Sequence, residues 1–212
     1  MNLKQHAIAL GLVLGCLLGG VAQAAPVVSF NPSVTNAMPG DTVFVDVNIS
    51  GLGTELVSAF DLNIYFDPAT LTGVGYVLGS GLGAPLALDL SVILVNSFDL
   101  FWDSFLDDGT LAAAQTPGGF TVVTLEFSAL APGVSQIAFG LGANERDIVG
   151  LDAQLLTDVA FGGACVAVND PNGGPNVCNT VPEPSSLALL VLALAGMVVP
   201  AARWRVASAR AG

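Results

Sequence analysis

The chain has 212 residues, a formal net charge of −12 and a hydrophobic content of 53%. This length accommodates one domain with short appendages, and the apolar content excludes a disordered chain. All 17 acidic residues lie between positions 25 and 184, where Arg146 is the only basic residue. A surface this acidic repels phosphate groups, which excludes nucleic-acid binding, and it is typical of an extracellular domain that attracts cations.

The first 24 residues predict a secretory signal peptide. Lys4 precedes an apolar stretch over residues 7–21, and small alanines stand at positions 22 and 24. This is the cleavage pattern of an exported protein, so we expect the cut between Ala24 and Ala25. A retained membrane helix is the weaker alternative, because the stretch is short for a bilayer span.

Residues 26–168 carry strand signals and almost no helix signals. Apolar and polar side chains alternate over residues 42–50, 60–67, 121–129 and 137–141, which predicts half-buried strands. Residues 86–97 fit a strand or a helical turn, and we favour a strand. Turn residues separate the runs, among them the Asp-Asp-Gly and Pro-Gly sequences at 107–109 and 132–133. Several strands at this spacing predict a β-sandwich.

Two cysteines, Cys165 and Cys178, remain after the signal is removed. An oxidising compartment and the Gly/Pro/Asn-rich loop between them favour a disulfide over two free thiols. A structural zinc site is not expected, because two cysteines cannot supply four ligands and the one histidine, His6, leaves with the signal.

Catalytic arrangements that need histidine or lysine are excluded, because the predicted mature chain contains neither residue. We therefore expect a protein that is not an enzyme. The remaining candidates are carboxylates close together in the sequence, at Asp99, Asp103, Asp107 and Asp108. Oxygen ligands suit a hard cation such as calcium, and a carboxylate pair would suit glycoside hydrolysis.

The interpretation that we favour for this stretch is a solvated acidic loop. Its aromatic residues would then pack into the core, at Phe98, Phe101, Trp102 and Phe105. Trp102 is also a candidate for stacking on a sugar ring, although a lone tryptophan is more often a core residue. No cofactor is expected apart from calcium.

The tail of the chain has three parts. Pro182, Glu183 and Pro184 stand in a stiff linker over residues 169–184, and residues 185–202 form an 18-residue stretch without a charge. That length is just enough for one transmembrane helix. Three basic residues follow in the final segment, 203–212: Arg203, Arg205 and Arg210. Basic residues beside an apolar span stay cytoplasmic, so we expect them to hold this end of the chain on the cytoplasmic side of the inner membrane.

This tail resembles the PEP-CTERM sorting signal of Gram-negative bacteria, with Pro182-Glu183-Pro184 as the motif. In that family a membrane protease-transpeptidase, exosortase, recognises the signal and processes the protein near the motif. The resemblance implies exosortase as a partner and a transient inner-membrane anchor. It also implies delivery to the cell surface or to the exopolysaccharide matrix of a biofilm.

The central region resembles a cohesin-like domain in the order and spacing of its motifs. Pro-Gly-Asp-Thr-Val stands at 39–43, Phe-Asp-Pro-Ala-Thr-Leu at 66–71, and an F-x-A-x-x-x-G run at 127–133. Phe66 stands where the family often has a tyrosine. The resemblance implies an all-β jelly-roll sandwich of about nine strands over residues 25–168, related to carbohydrate-binding modules.

These features predict a non-enzymatic exported protein with a binding or structural module. One alternative is a secreted carbohydrate-binding protein that contacts polysaccharide. The other is a cohesin scaffold that binds a dockerin, and envelope proteins are further candidate partners.

Overall fold

The structure is a computed structural model that describes residues 25–83, 87–115 and 118–178. These residues belong to the first of two compact units of the chain, which ends at Cys178. They form thirteen strands, one α-helix, α1 (Asp108–Ala114), and 3-10 turns at Ser80–Leu82 and Leu151–Ala153. The strands are β1 (Val27–Pro32), β2 (Asn36–Ala37), β3 (Thr42–Ser50), β4 (Ala59–Tyr65), β5 (Leu71–Leu78), β6 (Ala87–Asp89), β7 (Val92–Ile93), β8 (Ser97–Ser104), β9 (Gly119–Ala129), β10 (Gly133–Phe139), β11 (Arg146–Val149), β12 (Ala160–Phe161) and β13 (Ala164–Val168).

The strands form two sheets. The smaller sheet has the order β12-β1-β3-β9-β5, and the larger has the order β2-β13-β10-β4-β8-β6. In the larger sheet β11 also pairs with β4, and β7 also pairs with β8. The β1–β12 and β2–β13 pairs are parallel, and the other pairs are antiparallel.

The core lies between the two sheets because their strands alternate apolar and polar residues. A strand points successive side chains to opposite faces, so one apolar set per strand is buried. In β3 the buried set is Val43, Val45, Val47 and Ile49, and in β4 it includes Phe60, Leu62 and Ile64. The sheets meet at Phe98 of β8 and Phe127 of β9, whose ring centroids are 5.3 Å apart in an edge-to-face arrangement.

The predicted all-β sandwich is confirmed, with differences in detail. Nine of the thirteen strands in the described part of the chain have four residues or more, and the other four are pieces of two or three residues. Residues 87–97 form two of these pieces, β6 and β7, before β8 begins, so the strand favoured there is broken in two. Strand β10 ends at Phe139, and Leu141, the last apolar residue of the predicted alternation, is exposed.

The prediction of a turn at residues 107–109 is wrong, because α1 begins there. The Asp107 carboxylate accepts hydrogen bonds from the backbone N–H groups of Gly109 and Thr110, which makes it the N-cap. The helix then runs through three alanines, of which Ala114 is the last. Alanine has the highest helix propensity, and together with the cap it outweighs the Asp-Gly turn signal.

The expected disulfide between Cys165 and Cys178 is present. Its Cα atoms are 5.7 Å apart, and it connects β13 to the last described residue. The loop between them is also held by Asn176, whose side-chain nitrogen donates to the Val168 carbonyl at 2.7 Å. Residue 178 is therefore tied to the larger sheet by a covalent bond and by hydrogen bonds.

Candidate functional site

The outward side of the larger sheet carries a group of carboxylates that we call the acidic face: Asp61, Asp99, Asp103 and Asp147. They lie on β4, β8 and β11, at positions that alternate with buried core residues. Asp147 stands directly opposite Asp61 in the β4–β11 ladder. On the other side of β4, Asp61 faces Phe101 of β8, which separates Asp99 from Asp103.

Like charges of the acidic face surround Asp61. Burial raises the pKa of Asp61, and the negative charges of Asp99 and Asp147 raise it further. Arg146 does not relieve this repulsion. It pairs with the inward-facing Leu62, and its guanidinium lies 5.6 Å from the ring centroid of Phe161.

A hydrogen-bonded corner lies beside the acidic face, at the loop between β10 and β11. The Tyr65 hydroxyl donates to Glu145 Oε1 at 3.0 Å, and the Gly142 N–H donates to Oε2 at 2.6 Å. The Gly142 N–H is the main cause of a lowered Glu145 pKa, with Tyr65 second, and the bond to Glu145 raises the Tyr65 pKa. A Cβ at Gly140 or Gly142 would closely approach the Glu145 side chain, so a larger residue at either position would require the Glu145 carboxylate to shift.

An apolar margin borders the carboxylates along β6 and β7. Leu88 pairs with Asp103 and Val92 pairs with Asp99, and both apolar side chains are exposed. Leu90, between them, is also exposed, and its N–H donates to the Phe101 carbonyl. Charged groups beside exposed apolar ones are typical of surfaces that bind proteins.

The structure separates the four aspartates that the sequence grouped. Asp99 and Asp103 belong to the acidic face, whereas Asp107 and Asp108 lie at the start of α1. The Asp107 carboxylate is occupied by the Thr110 hydroxyl, at 2.7 Å, and by two backbone N–H groups, and these bonds lower its pKa. Within residues 25–83, 87–115 and 118–178, no group of three or more His, Cys, Asp or Glu side chains is arranged to hold a metal ion.

Sequence reasoning missed Asp61 and Asp147 as neighbours of Asp99. The alternation in β4 does place Asp61 on the outward side. Its pairing with Asp147, however, depends on the register between β4 and β11, which no local pattern encodes.

The aromatic residues near the acidic stretch divide between core and surface. Phe98 and Trp102 are fully buried, Phe101 is half-buried on the outward side, and Phe105 is exposed. Trp102 is 1% exposed and packs edge-on against Phe60, so it cannot stack on a sugar ring. Only half of the expected core packing is therefore correct, and the sugar-stacking alternative for Trp102 is wrong.

The predicted sorting motif, membrane span and arginines lie outside the described residues, as does Ala24, whereas Ala25 is described. Among the helices of the described ranges, none is long and apolar enough to cross a membrane.

Comparison with known protein families identifies the tail. Residues 180–204 match the PEP-CTERM protein-sorting motif, so the chain carries this motif, as its sequence predicted. No curated protein is a significant match to the chain.

Comparison with solved structures identifies the fold. A type II cohesin domain from the cellulosome of Acetivibrio cellulolyticus has a TM-score of 0.57 and 18% identity, covering 68% of this chain and 95% of the cohesin. A cohesin of the same organism, solved with a dockerin, has a TM-score of 0.55 and 15% identity over 68% and 98% of the two chains. A type I cohesin from Pseudobacteroides cellulosolvens has a TM-score of 0.55 and 16% identity over 74% and 99%. The fold is therefore similar to that of cohesins.

Proposed function

We propose that this chain is an exported, non-enzymatic protein that presents a cohesin-like binding module at the cell surface or in the exopolysaccharide matrix. The PEP-CTERM motif at residues 180–204 supports the sorting part of the proposal, with exosortase as the processing enzyme. The binding part rests on the acidic face, because the fold alone does not determine function.

The observation that carries the binding proposal is the placement of Asp61 opposite Asp147 and near Asp99, whose negative charges raise the Asp61 pKa in addition to the larger effect of burial. Residues 25–178 contain 16 acidic residues and one basic residue, Arg146. No lysine or second arginine side chain of this region can therefore neutralise these carboxylates. A partner that brings lysine or arginine side chains would replace this repulsion with attraction. The exposed apolar margin would supply the less polar part of the same contact.

The partner that fits this surface is a protein module with a basic patch. Several of the similar solved structures are complexes of cohesins with dockerins, which makes a dockerin-type module one candidate. The carbohydrate-binding alternative is less well supported, because the buried Trp102 cannot provide an aromatic surface for a sugar ring. Co-sedimentation with matrix polysaccharide remains the test of that alternative.

The binding test uses the mature chain from Ala25 and two probes, oligolysine and a purified dockerin module. The triple variant Asp61→Asn, Asp99→Asn, Asp147→Asn removes the charge of the acidic face while it keeps the shape of the side chains. Exposed charge pairs contribute up to about 1 kcal/mol each, so we expect affinity to fall about tenfold or more.

The matched control removes three charges from elsewhere, at Asp41, Asp46 and Glu126. Asp46 and Glu126 lie on the smaller sheet, and Asp41 lies just before β3. The control variant should bind each probe with the affinity of the unaltered chain. Equal losses in both triple variants would show that only net charge matters, and binding to neither probe would contradict the proposed basic partner.

A further inference from the structure

A cleft of about 470 Å³ lies where the described chain begins. Ala25, Pro26 and Glu55 line one part of it, and residues 154–158 line the rest. Glu55 and Asp158 are the only titratable side chains in this lining, so the cleft carries negative charge and no positive charge.

Backbone contacts fix the position of Ala25 and Pro26 beside this cleft. The Pro26 carbonyl accepts a hydrogen bond from the Ala160 N–H at 2.8 Å. Gly51 has a φ of +73°, and a Cβ there would come within 2.9 Å of the Ala25 carbonyl oxygen. The bond to Ala160 therefore fixes Pro26 just before β1, and the close approach of Ala25 explains why residue 51 is a glycine.

The chemistry of Ala25 changes when the predicted signal peptide is removed. In the precursor its nitrogen is a neutral peptide amide. After cleavage between Ala24 and Ala25 the same nitrogen becomes an ammonium group, because a free α-amino group has a pKa of about 7.7–8.0. Cleavage would therefore place a positive charge at the edge of a cleft lined by two carboxylates.

We propose that this cleft is a binding site for the chain's own new N-terminus, with Glu55 and Asp158 holding the α-ammonium group of Ala25. The proposal rests on the export part of the proposed function, because it needs the cut after Ala24. Cleavage would then change the structure of the domain, because the mature chain gains an ion pair that the precursor cannot form.

The pairing links the stability of the mature domain to pH. A carboxylate neighbour favours the ammonium form, so the folded pKa of the amino group is raised above its unfolded value. The added stability is fully present below the unfolded pKa and is lost as pH rises through the folded pKa. Both carboxylates are exposed, so high salt should screen most of the effect.

The test measures the α-amino pKa in the chain from Ala25 to Gly212, purified in detergent. Pulse labelling of the amino group at a series of pH values, followed by mass spectrometry of the N-terminal peptide, reports its protonation. We expect a pKa above the ordinary range of about 7.7–8.0, returning to that range in the Glu55→Gln, Asp158→Asn double variant. The matched control Glu126→Gln, Asp170→Asn removes two charges that do not line the cleft and should keep the raised pKa.

A second measurement retains both carboxylates and keeps Ala24 as one extra N-terminal residue. This extension moves the ammonium group by one residue, so its pKa should be closer to the ordinary range. An ordinary pKa in the chain that begins at Ala25, or a raised pKa that survives the double variant, would overturn the proposal. A first residue other than Ala25 in protein taken from the producing cell would instead overturn the predicted signal cleavage.

Discussion

Asp147 of β11 stands directly opposite Asp61 of β4 in an antiparallel ladder, on the outward side of the larger sheet. Like charges in facing positions destabilise a strand pair. Asp99 adds a third negative charge, and the pKa of Asp61 is raised by burial and by both neighbours. The sheet therefore keeps a charge arrangement that lowers its own stability, and a cationic ligand would relieve this cost.

We predict that Asp61→Asn stabilises the domain at neutral pH. A raised folded pKa means that the folded state binds the Asp61 proton more tightly than the unfolded state, so stability falls as pH rises through the folded pKa. Asparagine removes this penalty. The gain should be below about 1 kcal/mol, because Asp61 is only partly buried and solvent screens its charge.

Thermal melts at pH 4 and pH 7 measure this effect. The difference between Asp61→Asn and the unaltered chain should be larger at pH 7, where the carboxylate is charged. Glu126→Gln, on the smaller sheet, is the control for a simple reduction in net charge. A lower midpoint for Asp61→Asn at pH 7 would contradict the prediction.

We also predict a modest rise of the thermal midpoint in millimolar calcium, reversed by chelator. A divalent cation reduces the repulsion among the aspartates of residues 99–108 and their neighbours on the acidic face. Because the structure separates these groups, Asp61→Asn with Asp99→Asn should remove the response, whereas Asp108→Asn at the start of α1 should keep it. Identical midpoints with and without calcium would exclude the idea.

The disulfide should be a main source of stability for the end of the domain. It closes a loop with a sequence separation of 13 residues, and the chain-entropy model gives about 3 kcal/mol for a loop of this size. Cys165→Ser with Cys178→Ser should lower the free energy of unfolding by up to that amount. Intact mass with and without reductant checks the bond itself, and two alkylatable thiols in protein from the envelope would refute it.

The sandwich could be predicted from the sequence because its signals are local. The apolar residues Val43, Val45 and Val47 alternate with polar ones along β3, and their burial follows from this alternation. Strand β5 was harder to predict, because Gly73 and Gly75 interrupt its pattern. Gly73 is required by packing, since a Cβ there would come within 2.8 Å of the Phe98 ring.

The acidic face could be predicted only in part, because it depends on pairing between distant segments. Asp99 and Asp103 are four residues apart on one strand, so they share a face by periodicity alone. Asp61 and Asp147 are brought together by register, and the separation of Asp107 from Asp103 follows from the cap of α1. A grouping by proximity in the sequence is therefore only half correct: it includes Asp107 and Asp108, which lie at α1, and omits Asp61 and Asp147.

We expect residues 181–212, at the end of the chain, to be a transient sorting signal. Pro182 and Pro184 should keep the motif extended, because each ring fixes φ and disfavours helix in the preceding residue. An extended segment suits recognition by a membrane-embedded processing enzyme such as exosortase. Replacement of Pro182-Glu183-Pro184 by alanines should leave membrane insertion intact and block processing, so that a membrane-bound precursor accumulates.

The arginines provide the matched variant, because they should act on insertion and not on recognition. Basic residues beside an apolar span determine which end stays in the cytoplasm. Replacement of Arg203, Arg205 and Arg210 by glutamine should therefore misplace the tail while the motif is intact. Mass mapping of the C-terminus of surface-released protein is the decisive measurement: we expect an end near the motif, and released protein that still ends at Gly212 would show that the tail is a plain anchor.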